Sequence, residues 1–126
     1  MFVSRFAVVA ALSLVAVSTA QAQPAAPVQV INLQSYSYSP TPIALKAGQP
    51  VTLQFVNRSG SGHDFTAPKF FQSARILAGH ADNGTVDVRP GQSANVTLIP
   101  SAGTYPVHCS HPFHKILGMR STIHVQ

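Results

Sequence analysis

The chain has 126 residues, the length of a single domain. Charged residues are sparse, with 8 Lys and Arg against 3 Asp and Glu, and a formal net charge of +5. The basic residues (Lys46, Arg58, Lys69, Arg75, Arg89, Lys115 and Arg120, besides Arg5) form no run. This excludes the basic stripe of a nucleic-acid binder and leaves a mildly basic surface, suited to acidic protein partners or anionic membrane faces.

At the N-terminus, Arg5 precedes an apolar run over residues 6–17, which ends in Ala20-Gln21-Ala22. That is the layout of a secretory signal peptide with its small-x-small cleavage pattern. The run is shorter than the ~20 residues of a bilayer span. We therefore expect a cleaved signal peptide over residues 1–22, a flexible leader over 23–27 and one folded domain over 28–126, with no stable membrane insertion. No cysteine lies near the cleavage point to accept a lipid, and twin arginines are absent. Export to a bacterial periplasm follows. An exported chain of roughly a hundred residues with a single cysteine, Cys109, is stabilised by packing or by a metal, since a disulfide is unavailable to it.

The remainder reads as β. "PVTLQFVN" (50–57) alternates, with Val51, Leu53 and Phe55 on one face. "PKFFQSARILAG" (68–79), opened by a proline and closed by a glycine, is the one helix candidate. "SANVTLI" (93–99) alternates through Ala94, Val96 and Leu98; "TYPVHC" (104–109) through Tyr105, Val107 and Cys109; "MRSTIHV" (119–125) through Met119, Ile123 and Val125. Turn signals at Ala47-Gly48, the Ser59–Gly62 stretch, Asn83-Gly84, Pro90-Gly91 and Ala102-Gly103 separate these runs, the pattern of a β-sandwich. By phase, Cys109 and Met119 point inward, whereas His108 and His124 lie on the exposed polar faces.

"HCSHPFHKILGM" (108–119) therefore begins and ends with inward-pointing sulfurs, and His114 stands between them in the spacing Cys109-x4-His114-x4-Met119. Thiolate, imidazole and thioether make a soft site, and two His, one Cys and a weak axial Met describe a trigonal copper centre. A second histidine is needed, and "VNRSGSGHDF" offers His63 after a strand and a Gly/Ser loop. Each residue alone reads as core or surface; together, in an exported chain without a disulfide partner, they favour copper. Zinc accepts His2Cys, but methionine is not among its usual ligands.

"GTYPVHCSHPFHKILGMRSTIHV" resembles the C-terminal signature of the cupredoxin family, and "LKAGQPVTLQFVNRSGSGHDF" resembles that family's earlier strand and first ligand. The loop spacing is similar to that of rusticyanin and auracyanin, whereas plastocyanin and pseudoazurin keep only two residues between Cys and His. The resemblance covers residues 41–125. It implies a Greek-key β-sandwich with one short helix or helical turn. It further implies one copper ion with His63, Cys109 and His114 as equatorial ligands and Met119 as the long axial one, and an Asp64–Ser110 hydrogen bond bracing the site. A binuclear copper centre is excluded, because it needs a second cysteine in the loop.

The resemblance also implies a one-electron carrier whose redox partners, such as a cytochrome or oxidoreductase, dock near His114. Pro112, Phe113, Ile116 and Leu117 would form the apolar patch there, with Lys115 at its rim, on a monomeric protein. No general base, nucleophile or substrate pocket is evident, so the expected role is not enzymatic. The alternative is a periplasmic copper-binding protein for buffering, delivery or resistance. His111 departs from the family pattern and has two readings: a surface side chain, or part of a second copper site with His108 or His80.

Overall fold

A computed structural model describes residues 11–21 and 25–126. Residues 1–10 and 22–24, which hold the start of the expected signal peptide, its cleavage point and the start of the expected flexible leader, lie outside the described residues. Residues 11–21 carry no helix or strand, and no helix among the described residues is long and apolar enough to cross a membrane.

The elements in chain order are β1 (Val28–Gln34), β2 (Ser37–Ser39), β3 (Ile43–Leu45), β4 (Val51–Asn57), β5 (His63–Thr66), α1 (Pro68–Ser73), β6 (Arg75–Ala78), β7 (Thr85–Val88), β8 (Ser93–Ile99), β9 (Gly103–His108) and β10 (Arg120–Val125). They form two five-stranded sheets, ordered β2-β1-β4-β8-β6 and β3-β10-β9-β5-β7. Pairing is antiparallel except for β1 with β4 and β3 with β10, which run parallel. This is the β-sandwich expected from the strand pattern.

Period-2 alternation supplies the core. Ile31, Leu33, Leu53, Phe55, Val96 and Leu98 of one sheet meet Ile43, Phe65, Val86, Val107, Ile123 and Val125 of the other, all buried. Each side chain of this size contributes about 1.5–3 kcal/mol on burial, so the sandwich needs no disulfide. Val51, Ala94 and Tyr105, assigned to inner faces from the sequence, are half-buried and pack against this core.

The expected helix over 68–79 requires a correction. It ends at Ser73, Ala74 turns extended (φ −83°, ψ 152°), and β6 follows as an exposed edge strand paired with β8, Arg75 opposite Ile99 and Ile76 opposite Leu98. An isolated helix shorter than about 12 residues is marginal in water, and the open edge of β8 offers the backbone a full set of partners instead.

One buried amide shapes the metal-bearing end. Asn57, fully buried at the end of β4, donates to the carbonyls of Ser61 at 2.8 Å and Val88 at 2.9 Å. Its Oδ1 accepts from the Ser59 N–H at 3.0 Å and the Ser59 hydroxyl at 2.7 Å. The Gly/Ser loop is thereby folded back so that the chain enters β5 at His63. Asn57→Ala removes four hydrogen bonds, one of them to the buried Val88 carbonyl, and should cost about 3 kcal/mol, read as a lower midpoint in denaturant for the metal-free protein with an unchanged slope.

Candidate metal centre

His63 opens β5 on the inner face shared with Phe65, and Cys109 follows β9 on the inner face shared with Val107. The β9–β10 register, with Arg120 opposite His108, sets Met119 across from Cys109. The Cys109 N–H donates to the Met119 carbonyl at 3.1 Å. Within the loop, the Met119 N–H donates to His114 at 2.9 Å and the His114 N–H to His111 at 3.2 Å, folding His114 back over the two sulfur residues. Gly118 holds φ +99° immediately before Met119, a left-handed backbone that a side chain would strain.

Three ligand atoms converge. His63 Nδ1 lies 3.3 Å from His114 Nδ1, and Cys109 Sγ lies 3.4 Å from the same nitrogen. All three lie within 4.8 Å of one another. Nitrogen and sulfur donors about 2.0–2.3 Å from one ion sit about 3.5 Å apart when trigonal, so the separations suit a shared metal. Two facing Nδ1 atoms and a buried thiol satisfy one another poorly as hydrogen-bond partners, and His63 Nε2 is buried with no partner. Met119 is fully buried and its backbone pairs with that of Cys109.

Protonation follows the same logic. Burial, then the neighbouring His114 and His111 rings, push the His63 pKa down, which keeps its imidazole neutral and its lone pair free for a metal. Burial pushes the Cys109 thiol up, against the opposing pull of the Asp64 and His111 backbone N–H groups. Thiolate formation at neutral pH thus depends on a bound cation, the behaviour of a metal ligand.

A buried carboxylate braces the group. Asp64, 1 % exposed, accepts the Ser110 N–H at 2.9 Å and the Thr66 hydroxyl at 2.8 Å on Oδ1, and the Ser110 hydroxyl on Oδ2. This is the Asp64–Ser110 link that the resemblance implied. The Asp64 N–H also points at Cys109 Sγ, at 3.5 Å. Tyr38 donates its hydroxyl to the Asp64 carbonyl at 2.6 Å, and burial keeps that hydroxyl protonated by driving its pKa far upward.

His114 is half-buried, its ring edge-on to Tyr36 at 5.3 Å and stacked with His111 at 5.3 Å. Around it Phe113, Ile116 and Leu117 are exposed, as are Pro112 and Lys115. The expected apolar patch is present, and Tyr36 from the β1–β2 turn extends it.

Of the residues singled out in the sequence, His63, Cys109 and His114 come together. His80 and His108 belong to no converging group of three or more donors among the described residues, whereas His111 joins one with Asp64 and Cys109. His108 and His124 are half-buried rather than exposed, the latter 3.4 Å from the Thr104 hydroxyl. Sequence reasoning missed Asn57, Thr66, Tyr36 and Tyr38. Their roles depend on contacts across the fold, and only Thr66, two residues from Asp64 on the same strand face, carried a local signal.

The chain belongs to the cupredoxin-like domain family, whose sequence profile matches residues 6–123. No curated protein matches it in sequence. Among solved structures it is similar to auracyanin B, at 21 % identity and a TM-score of 0.59 over 86 % of this chain and 95 % of that one. It is similar to auracyanin A, a "blue" copper protein from Chloroflexus aurantiacus, at 21 % identity and a TM-score of 0.55 over 79 % of this chain and 99 % of that one. A multicopper oxidase from Aquifex aeolicus matches at 18 % identity and a TM-score of 0.62, over 85 % of this chain but 32 % of that one. At these identities the likeness establishes the fold. One copper ion is the cofactor that the family and the His63–Cys109–His114 group imply.

With its pKa raised and its side chain fully buried, Cys109 of the metal-free protein should react with iodoacetamide at least about tenfold more slowly than free cysteine at pH 7, and faster as pH rises. Mass spectrometry of timed samples checks both.

Proposed function

We propose that the protein is an exported one-electron carrier with a mononuclear copper centre. His63, Cys109, His114 and Met119 would hold the ion. The convergence of His63 Nδ1, Cys109 Sγ and His114 Nδ1 carries this reading. Bound copper supplies exchange of a single electron between its +1 and +2 states.

The protein's part is to hold the donors still. One sheet anchors them, through β5 and the facing ends of β9 and β10, and the burial of His63, Cys109 and Met119 keeps water away. The Asp64 bracket fixes the loop to β5. Hydrogen bonding around the sulfur and the buried carboxylate set the electrostatics seen by the site. His114, alone of the proposed ligands, reaches toward solvent, through a patch of Phe113, Ile116, Leu117 and Tyr36 rimmed by Lys115. A small apolar face with a charged rim suits brief docking of a redox protein such as a cytochrome or oxidoreductase. In this reading the chain is a monomeric electron carrier and not an enzyme. Cleavage after Ala22 and a periplasmic address rest on the leader pattern, with the folded domain over residues 28–126.

Titrating the metal-free protein with Cu(II), followed by visible absorption and electron paramagnetic resonance, should give an intense thiolate-to-copper band complete at one equivalent and lost in Cys109→Ser. Fast self-exchange in NMR line widths supports the carrier. Weak colour with more than one equivalent and no dependence on Cys109 would reject the centre, and copper given up readily to a chelator would favour delivery or buffering.

Asp64→Asn removes a buried negative charge that favours Cu(II) over Cu(I). Its reduction potential should rise by tens of millivolts, on the scale of the 59 mV that equals a tenfold change for one electron. Protein-film voltammetry reads it, and an unchanged or lower potential refutes the assignment.

A further inference from the structure

We propose that Asp64, Cys109 and His111 form a loading position for Cu(II), through which the ion reaches and leaves the His63–Cys109–His114 group. This rests on the copper reading above.

One ligand atom from each of these three residues lies within 4.8 Å of the others. An ionised carboxylate offers about four acceptor positions. On Asp64 two positions of Oδ1 are taken by Ser110 N–H and the Thr66 hydroxyl, and one position of Oδ2 by the Ser110 hydroxyl. The free position is therefore on Oδ2, and the atom facing it is His111 Nε2 at 3.7 Å. That is too long for a hydrogen bond and suits two donors sharing one ion. Imidazole with carboxylate is a donor pair that Cu(II) accepts.

The pair spans the protein surface. The His111 side chain is 37 % exposed and that of Asp64 is 1 % exposed, so one end meets solvent and the other lies inside. His111 lines a surface hollow with Gly62, His63, Asp87 and Arg89, whose two charges oppose each other. The absence of a side chain at Gly62 makes room for the ring, since a Cβ there would stand 3.3 Å from His111 Cε1. Inward, the His111 ring stacks on that of His114 at an interplanar angle of 20°.

Transfer is a ligand exchange. The ion keeps its charge, Asp64 Oδ2 and His111 Nε2 are replaced by His63 and His114, and Cys109 Sγ is common to both sets. The thiol proton leaves to water as the sulfur binds. Because Cys109 is shared, stoichiometry stays at one ion per chain. His111, the histidine with no place in the family pattern, thereby acquires a role distinct from a surface side chain.

A loading position lies on the path in both directions, so its loss slows arrival and departure equally and leaves the equilibrium unchanged. The test mixes metal-free protein with Cu(II) sulfate in a stopped-flow instrument, follows the thiolate-to-copper band, and separately follows copper loss into excess EDTA. In His111→Asn both rates should fall by about tenfold or more, with the band at one equivalent and the dissociation constant retained. His111→Lys supplies a positive charge in place of the imidazole donor and should behave like His111→Asn. Gly62→Ala, which crowds the His111 ring while leaving it in the chain, should slow both rates as well. Unchanged rates in His111→Asn and Gly62→Ala overturn the proposal, as does full rescue by His111→Lys, which would make His111 a charge partner of Asp64. Absence of a Cys109-dependent band in the wild-type protein would instead reject the copper reading itself.

Discussion

The metal-bearing end of the sandwich depends on a buried carboxylate that pairs with no lysine or arginine among the described residues. Three hydrogen bonds reach the Asp64 oxygens from Ser110 and Thr66, on two different segments of the chain, and the His111 ring stands 3.7 Å from Oδ2. A buried charge left unpaired costs several kcal/mol, so these bonds form together or the end of the molecule rearranges. Through them the loop that carries Cys109 and His114 is tied to the strand that carries His63. Two donors thus come from one short loop, a third from a distant strand, and one anion sets the distance between them.

Burial then acts on each donor in the direction that a metal site needs. It keeps His63 neutral and so ready to bind, and it keeps the Cys109 thiol protonated until a cation arrives. The centre is poised and not self-satisfied: its polar atoms face one another at separations that suit a common ion better than mutual hydrogen bonds. The rest of the fold serves this arrangement. The apolar core of both sheets supplies rigidity, and Asn57 directs the chain into β5 at His63. Of the loop's candidate donors only His114 and His111 are in reach of solvent, and their rings stack on one another.

Much of this was legible in advance, for a local reason. Alternation along β4, β8, β9 and β10 identified inner faces because side chains in a strand reverse direction at every residue. The same rule turns Cys109 and Met119 inward, and both are fully buried. The Pro68 and Gly79 signals misled at residues 75–78, which read as the end of a helix and are exposed on an edge strand. The deciding partner there is β8, some twenty residues further on, and no local pattern announces it.

By itself the sequence determined the donor types, their order and spacing, the strands that carry them and the soft character of the site, because these follow from residue chemistry and from the two-residue period of a strand. Only the tertiary structure decided that Thr66 would share the Asp64 brace and that the last free lone pair of Asp64 would face His111. It alone placed Tyr36 against His114 and made Asn57 the hinge of the approach to His63. Those relations join residues far apart in the chain, and a distance between such residues exists only once both sheets have closed on a common core.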